Sequence, residues 1–231
     1  MHMSDGLVNP PTALAFGAIA VIGLAVASSR ARRDLDDRTA PMAGLVTAFV
    51  FAVQMINFPI LPGASGHLLG GAIVAMLVGP WVGSMCIAIV LVVQALLFAD
   101  GGLTALGTSI VNMALVGVFV GYAVAFALRG LARRSRRGLI ITAFVAGLVN
   151  VVVASLGFVL QYAIGGAGGA DIGTVLTLMV GLHTLIGIGE GIITAATVGA
   201  IAASRPDLVY LLRRPGPPLD VRGRAVSGST S

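Results

Sequence analysis

The first two residues of the chain could form most of a transition-metal site. A free α-amine at Met1, the amide nitrogen of His2 and the Nδ1 atom of His2 can close two fused chelate rings, which place three nitrogens nearly in one plane. A fourth nitrogen would complete a square, the geometry that Ni(II) and Cu(II) prefer and that Co(II) can reach. His67 is the candidate for this nitrogen. The alternative is that His2 is incidental in a frayed terminus and that His67 caps a helix.

A second group of polar residues is expected to support or gate such a site. His183 and Glu190 are seven residues apart, so two helical turns place them on one face of a helix. We favour a structural or gating role for this pair over a ligand role, and we place Asn57 and Ser65 in the same supporting class. The sequence contains no zinc-protease, serine-hydrolase, phosphate-loop or paired-cysteine motif, so hydrolytic and nucleotide chemistry has no support within this chain.

The composition indicates an integral membrane protein. Charged residues make up 10% of the 231 residues, against about 25% in soluble domains. Apolar residues make up 57%, and the mean hydropathy is +1.01. A soluble chain of this size could not hide so much apolar surface, and a single cysteine excludes a disulfide-stapled fold. All 14 basic residues are arginines in three clusters, a pattern typical of cytoplasmic loops rather than of a nucleic-acid surface.

Long apolar stretches between these clusters predict an all-α, polytopic bundle of seven transmembrane helices. Six stretches approach the roughly 20 residues that span a bilayer, and a shorter one covers 67–80. Counting the shorter stretch puts all three arginine clusters inside, the N-terminus outside and the C-terminus in the cytoplasm. The predicted spans are 11–29, 40–57, 67–80, 81–99, 108–128, 138–160 and 174–203.

Three parts of the chain are predicted to have different roles. Residues 1–10 form an N-terminal metal-binding segment, 11–203 form the helical bundle, and 204–231 form a flexible cytoplasmic tail rich in Arg, Pro, Gly and Ser. The first ten residues lack the basic region of a secretory signal. A bulky residue 2 disfavours removal of Met1, so we expect Met1 to be retained with a free amine.

Several local sequences resemble the CbiM/NikM family, the substrate-capture subunits of energy-coupling-factor transporters for cobalt and nickel. The similar segments are Met1-His2-Met3-Ser4-Asp5-Gly6, Asn57-Phe58-Pro59, Ser65-Gly66-His67-Leu68-Leu69-Gly70-Gly71, and the stretch from Gln94 through Asp100-Gly101-Gly102 to Asn112-Met113. The resemblance covers residues 1–200. It implies seven helices, an N-terminus tucked into the bundle, and a metal held by the Met1 amine, the His2 amide and imidazole, and His67.

The resemblance implies an importer subunit rather than an enzyme. Co2+ or Ni2+ would be the transported substrate, with a transmembrane T subunit and ATPase subunits as partners in a bacterial inner membrane. Any small accessory membrane subunit would be a separate chain. Ser4-Asp5 and Ala64-Ser65-Gly66 depart from the cobalt branch, and cobalt and nickel are not separated on these residues. Two alternatives stay open: a membrane enzyme using His183 and Glu190 as an acid/base pair, and a secondary metal transporter working alone.

Overall fold

The computed structural model describes residues 1–37 and 39–213, which form a helical bundle with a short β-hairpin at one end. The chain order of the elements is α1 (Pro10–Asp34), α2 (Thr39–Gln54), β1 (Phe58–Leu61), β2 (Ala64–Gly66), α3 (Gly71–Val78), α4 (Pro80–Leu97), α5 (Leu106–Ala127), α6 (Arg129–Arg134), α7 (Arg136–Gly165) and α8 (Ile172–Ser204). Two 3-10 turns, Pro206–Leu208 and Tyr210–Leu212, follow α8. The prediction of a helical, multi-pass membrane protein is confirmed.

Five of the helices in the described part of the chain are long and apolar enough to cross a membrane: α1, α4, α5, α7 and α8. Helix α2 is apolar but has 16 residues, and α3 has 8. At about 1.5 Å per residue, α3 is roughly 12 Å long, well short of a bilayer core of about 30 Å. All eight residues of α3 are buried, so this helix belongs to the core of the bundle.

The segment before α3 differs from the prediction, because the chain between 67 and 70, a strap that leads into α3, is not helical. Gly70 has φ +78°, a left-handed conformation that a helix interior does not contain. The preceding β1 and β2 form an antiparallel hairpin, an element that an all-α prediction omits. Pro59 and Pro62 explain the hairpin, since proline removes the amide hydrogens that a helix needs.

The N-terminal segment, 1–9, is packed into one end of the bundle. Met1, His2 and Met3 are buried, and Met3 forms a β-bridge with Ala64. Asn9 accepts from the Thr12 amide and so caps α1. The predicted burial of the N-terminus is therefore present in the structure, and hydrogen bonds satisfy its backbone where water is excluded.

Described residues of the arginine clusters lie at the opposite end of the bundle. Arg213 donates to the Thr39 hydroxyl at 3.0 Å, next to the loop that follows α1. Arg133, from the second cluster, donates to the carbonyl oxygen of Arg213 at 3.1 Å. Tyr210 lies against Gly79, between α3 and α4. These contacts bring residues of the second and third clusters together beside the loop between α1 and α2.

The predicted tail boundary at residue 204 also differs from the structure. Val209 and Leu211 are buried, and Tyr210 packs edge-on against Tyr122. These apolar side chains fix the two 3-10 turns on the bundle, so the packed region extends to about residue 212. The rest of the predicted tail, 214–231, lies outside the described residues.

Close approach of α7 and α8 positions the polar residues of α8. A Cβ atom at Gly147 would lie 2.9 Å from the Cα atom of Gly191, and one at Gly187 would lie 2.9 Å from the Leu148 side chain. Only glycine at these positions lets the two helices pack this closely, as in other membrane bundles. His183 and Glu190 are consequently both buried on the inward face of α8.

Candidate metal site

The α-amine of Met1 and the Nε2 atom of His67 are 2.5 Å apart inside the protein. Met1 is 0% exposed and His67 is 1% exposed. Two nitrogens bound at right angles to one metal at about 2.0 Å would lie about 2.8 Å apart. The two nitrogens are at hydrogen-bond distance, about 0.3 Å closer than neighbouring ligands in a square, although the two residues are 66 positions apart in the sequence.

His2 lies against the same pair. Its ring centroid is 4.7 Å from that of His67, and only 4% of the residue is exposed. The loop carrying Gly101 covers the ring, and a Cβ atom at position 101 would lie 3.0 Å from His2 Nδ1. The structure thus brings together the three residues that the sequence analysis selected as ligands.

Burial keeps these nitrogens neutral, which is the state that binds a metal. Desolvation lowers the pKa of the Met1 amine to about 4, against a smaller opposing effect of Asp100. It lowers the pKa of His2 to about 3, with a smaller effect of the neighbouring amine. Neutral amine and imidazole nitrogens carry lone pairs that can bind a metal, and in the metal-free structure the Met1 amine and His67 Nε2 are within hydrogen-bond distance of each other.

A buried carboxylate holds the strap that carries His67. Glu190 accepts from the backbone amides of Leu69 at 2.8 Å and Gly70 at 2.7 Å, one with each carboxylate oxygen. Gln54 donates to the carbonyl oxygen of Leu69 at 2.7 Å. The strap is not helical, and these contacts satisfy backbone groups that a helix would satisfy internally. Glu190 therefore anchors the strap through hydrogen bonds to its backbone.

Hydrogen bonding sets the tautomers of two histidines. The Nδ1 atom of His67 is 2.7 Å from the carbonyl oxygen of Leu68, and that of His183 is 2.7 Å from the carbonyl oxygen of Met179. A carbonyl only accepts, so each Nδ1 carries a hydrogen and each Nε2 carries a lone pair. In His183 this Nε2 atom is buried and has no hydrogen-bond partner in the described structure. His183 and Glu190 contact different backbone groups and form no hydrogen bond with each other.

Asn57 and Ser65 lie near the His2 side of the candidate site. They line a cavity of about 610 Å³ that also reaches His2, Asp100 and Gly101. Asn57 donates to Asp100 at 2.5 Å, while the Ser65 amide donates to the carbonyl oxygen of His2 at 3.4 Å. Of the three candidate ligand residues, His2 alone lines this cavity.

The sequence analysis did not select Asp100. Its Oδ2 atom is 3.7 Å from His2 Nε2, and its side chain is 14% exposed. The signal in the sequence is the pair of glycines that follows it, Gly101-Gly102. In the structure Asp100 lies in a strained turn, with Ala99 at φ +52° and Gly101 at φ +91° on either side. Two neighbouring residues in left-handed conformations hold a carboxylate against a buried imidazole.

The side chains at this position are too few to bind a metal ion by themselves. Within 1–37 and 39–213, no three His, Cys, Asp or Glu side chains are grouped so as to hold a metal ion. A metal at this position needs backbone nitrogens as well, and the buried Met1 amine is such a donor.

Long apolar helices around this buried group of nitrogens define a polytopic membrane protein with a candidate site for a small cation near one end. The chain belongs to the CbiM family, described as the cobalt uptake substrate-specific transmembrane region, whose model matches residues 2–208. It is a membrane protein of metal transport and not an enzyme. The alternative of an acid/base enzyme using His183 and Glu190 is thereby wrong.

Known proteins similar to this chain are named for metal transport. A protein of Haloquadratum walsbyi named for metal transport is 40% identical over 91% of this chain and 94% of its own length. A fused nickel transport protein of Rhodobacter capsulatus is 36% identical over 94% of this chain and 66% of its own length. The crystal structure of a truncated transition metal transporter superposes with a TM-score of 0.81 at 28% identity, covering 88% of this chain and 99% of that one.

Proposed function

We propose that this chain is the substrate-binding membrane subunit of an energy-coupling-factor importer for Co2+ or Ni2+. The observation that carries the proposal is the buried 2.5 Å contact between the Met1 amine and His67 Nε2, with the His2 ring beside it. In the metal-free protein the amine can donate to the Nε2 lone pair, and a cation could replace that hydrogen bond by binding both nitrogens. The family description and the names of similar proteins support cobalt and nickel as the cations.

Four nitrogens would hold the metal in a square. The amine of Met1, the amide nitrogen and Nδ1 of His2, and Nε2 of His67 are the donors. The amide loses its proton as the metal binds, and the 1–10 segment therefore acts as the metal-binding unit. His183, whose buried Nε2 has no partner, lies behind this square and has a gating or structural role.

The orientation follows from the charges at the two ends of the bundle. The arginine end faces the cytoplasm under the positive-inside rule, and the metal site therefore faces outward. In a bacterial inner membrane, α1, α2, α4, α5, α7 and α8 would each make one passage, and the 67–70 strap together with α3 would make the seventh. The cytoplasmic tail would follow the 205–212 turns.

Energy for release must come from other subunits. The sequence has no phosphate-binding loop. The resemblance to the CbiM/NikM family implies that the partners are a T subunit in the membrane and ATPase subunits in the cytoplasm, with a small accessory subunit as a further partner. The second candidate, a secondary transporter working alone, is favoured by no contact in the structure. Uptake that persists in cells without an ATPase subunit would support that candidate instead.

Metal analysis of the purified full chain tests the proposed site. Protein with its native N-terminus and a C-terminal tag should bind one Ni(II) or Co(II) per chain, and the Ni(II) form should show the yellow colour of low-spin square-planar nickel. The matched variant carries one extra residue before Met1 and the same tag, with intact mass confirming both termini. Equal affinity of the two proteins would rule out the amine as a ligand.

A further inference from the structure

We propose that Asp100 is a positioning residue that selects the ring nitrogen with which His2 binds the metal. This inference rests on the proposed function, because it concerns the geometry of that same site. Asp100 lies outside the square of nitrogens and acts through the His2 ring.

The choice of nitrogen decides whether the chelate can form. A ring that starts at the His2 amide closes through Nδ1, because Nε2 points away from the backbone. Neutral imidazole carries one hydrogen and one lone pair, so Nδ1 is a donor to the metal only when the hydrogen is on Nε2. The tautomer of His2 must therefore be the opposite of the one that His67 and His183 adopt.

Asp100 is placed to stabilise that tautomer. Its Oδ2 atom is 3.7 Å from His2 Nε2, which is buried and has no hydrogen-bond partner in the described structure. A carboxylate facing a ring nitrogen favours an N–H over a lone pair at that nitrogen, and a shift of roughly 0.5 Å brings the two atoms within hydrogen-bond distance. Histidines that bind metals commonly donate their second N–H to a carboxylate in this way.

The loop around Asp100 is built to hold the carboxylate in place. Asn57 donates to Asp100 Oδ2 at 2.5 Å, and the amide of Gly102 donates to the carbonyl oxygen of Met3 at 2.7 Å. Gly101 has no side chain, and a Cβ atom there would lie 3.0 Å from His2 Nδ1, so glycine lets the loop pass close to the ring. One turn of the chain therefore places a carboxylate near Nε2 and keeps a side chain away from Nδ1.

Charge balance gives Asp100 a second effect on the same site. A dication bound to one deprotonated amide and three neutral nitrogens leaves one net positive charge in a buried position. A buried charge is costly unless an opposite charge lies close by. The Asp100 carboxylate supplies that charge without being a ligand.

The tautomers can be read in the metal-free protein, which keeps this test separate from metal binding. The chain has three histidines, so 15N-histidine labelling gives three ring systems, assigned by single His→Gln variants. We expect two rings with the hydrogen on Nδ1 and one, His2, with it on Nε2. In Asp100→Asn the His2 signals should move toward the other tautomer while the other two rings stay unchanged. A wild-type His2 ring with its hydrogen on Nδ1 would overturn the inference even if the variant does not fold.

Asp171→Asn is the matched control. Asp171 caps α8 by accepting from the Thr174 amide at 3.1 Å, and asparagine caps a helix equally well. This variant makes the same charge change away from the His2 ring, so its three tautomers should match those of the wild type. A shift of the His2 tautomer as large in Asp171→Asn as in Asp100→Asn would mean that general charge, not position, is responsible.

Ni(II) titration then measures how much the Asp100 carboxylate contributes to metal affinity. Loss of a carboxylate that orients a metal-binding histidine typically weakens binding about 10- to 100-fold. We expect a loss of this size in Asp100→Asn, partial recovery in Asp100→Glu, and no change in Asp171→Asn. Unchanged Ni(II) affinity in Asp100→Asn would overturn the inference. A wild-type protein that binds no metal but shows the expected tautomers would refute the proposed function and leave the tautomer assignment intact.

Discussion

Removing the Glu190 carboxylate should loosen the strap and weaken metal binding at a distance. Glu190→Ala leaves the buried amides of Leu69 and Gly70 without acceptors, at about 1–3 kcal/mol each. Glu190→Gln keeps one acceptor oxygen, so roughly half of this loss is expected. His67 is two residues from the nearer of the two amides, so a freed strap must be reordered each time a metal binds. Since about 1.4 kcal/mol corresponds to a tenfold change in affinity, Glu190→Gln should bind metal about 10- to 100-fold more weakly and Glu190→Ala more weakly still.

Competition with a metal chelator at equilibrium measures these affinities, and thermal unfolding in the same detergent shows whether each variant is folded. Thr194→Val is the control: Thr194 is buried on the same face of α8, four residues after Glu190, and its hydroxyl has no partner in the described structure. This variant should keep wild-type affinity. If folded Glu190→Ala binds metal as tightly as the wild type, the strap does not depend on this carboxylate and the reasoning fails.

Three further predictions concern the ligands, the topology and the N-terminal segment. His67→Ala should lose most metal binding in equilibrium dialysis, whereas His183→Ala should mainly change stability or transport rate; the reverse result would place the site on other residues. A cysteine at position 168 should react with an impermeant thiol reagent in intact cells and one at 135 should not, and labelling at 135 would refute the seven-span orientation. The Thr104 hydroxyl, and to a smaller extent its amide, donate to the Asp5 carboxylate and lower the pKa of Asp5. These two hydrogen bonds tether the N-terminal segment. The tether is complete above the ordinary carboxyl pKa of about 4 and is lost as pH falls through the lower pKa of the folded protein. Hydrogen exchange of residues 1–8, corrected for intrinsic rates, should therefore rise at acid pH in the wild type and be high at all pH values in Asp5→Ala, and equal exchange in the two proteins would exclude the tether.

The proposed ligands of the candidate site could be selected from the sequence because the chemistry of Met1 and His2 is local. A histidine at position 2 beside a free amine forms fused chelate rings whatever the fold. His67 needed the further step of placing it at the same end of the bundle as the N-terminus. That step followed from the arginine clusters and the number of apolar stretches.

The hydrogen bonds that support the site could not be predicted from the sequence, because they join distant parts of the chain. Leu69 and Glu190 are 121 positions apart, and nothing near either residue indicates that they meet. Asp100 faces His2 only because the 99–102 turn folds over the N-terminus. The non-helical conformation of the 67–70 strap was not predicted for a different reason. Its residues are largely apolar like those of a helix, and the left-handed conformation of Gly70 is visible only in the structure.

The contact between Glu190 and the strap has a consequence for how the protein is made. Met1, His2 and His67 all leave the ribosome early, in the first third of synthesis, but the carboxylate that fixes the strap belongs to the last long helix. Until α8 is inserted, the nascent chain contains the proposed ligands, but the strap that carries His67 lacks the Glu190 carboxylate that holds it in position. We therefore expect an interrupted chain to capture cations poorly, and completion of the site to coincide with completion of the bundle.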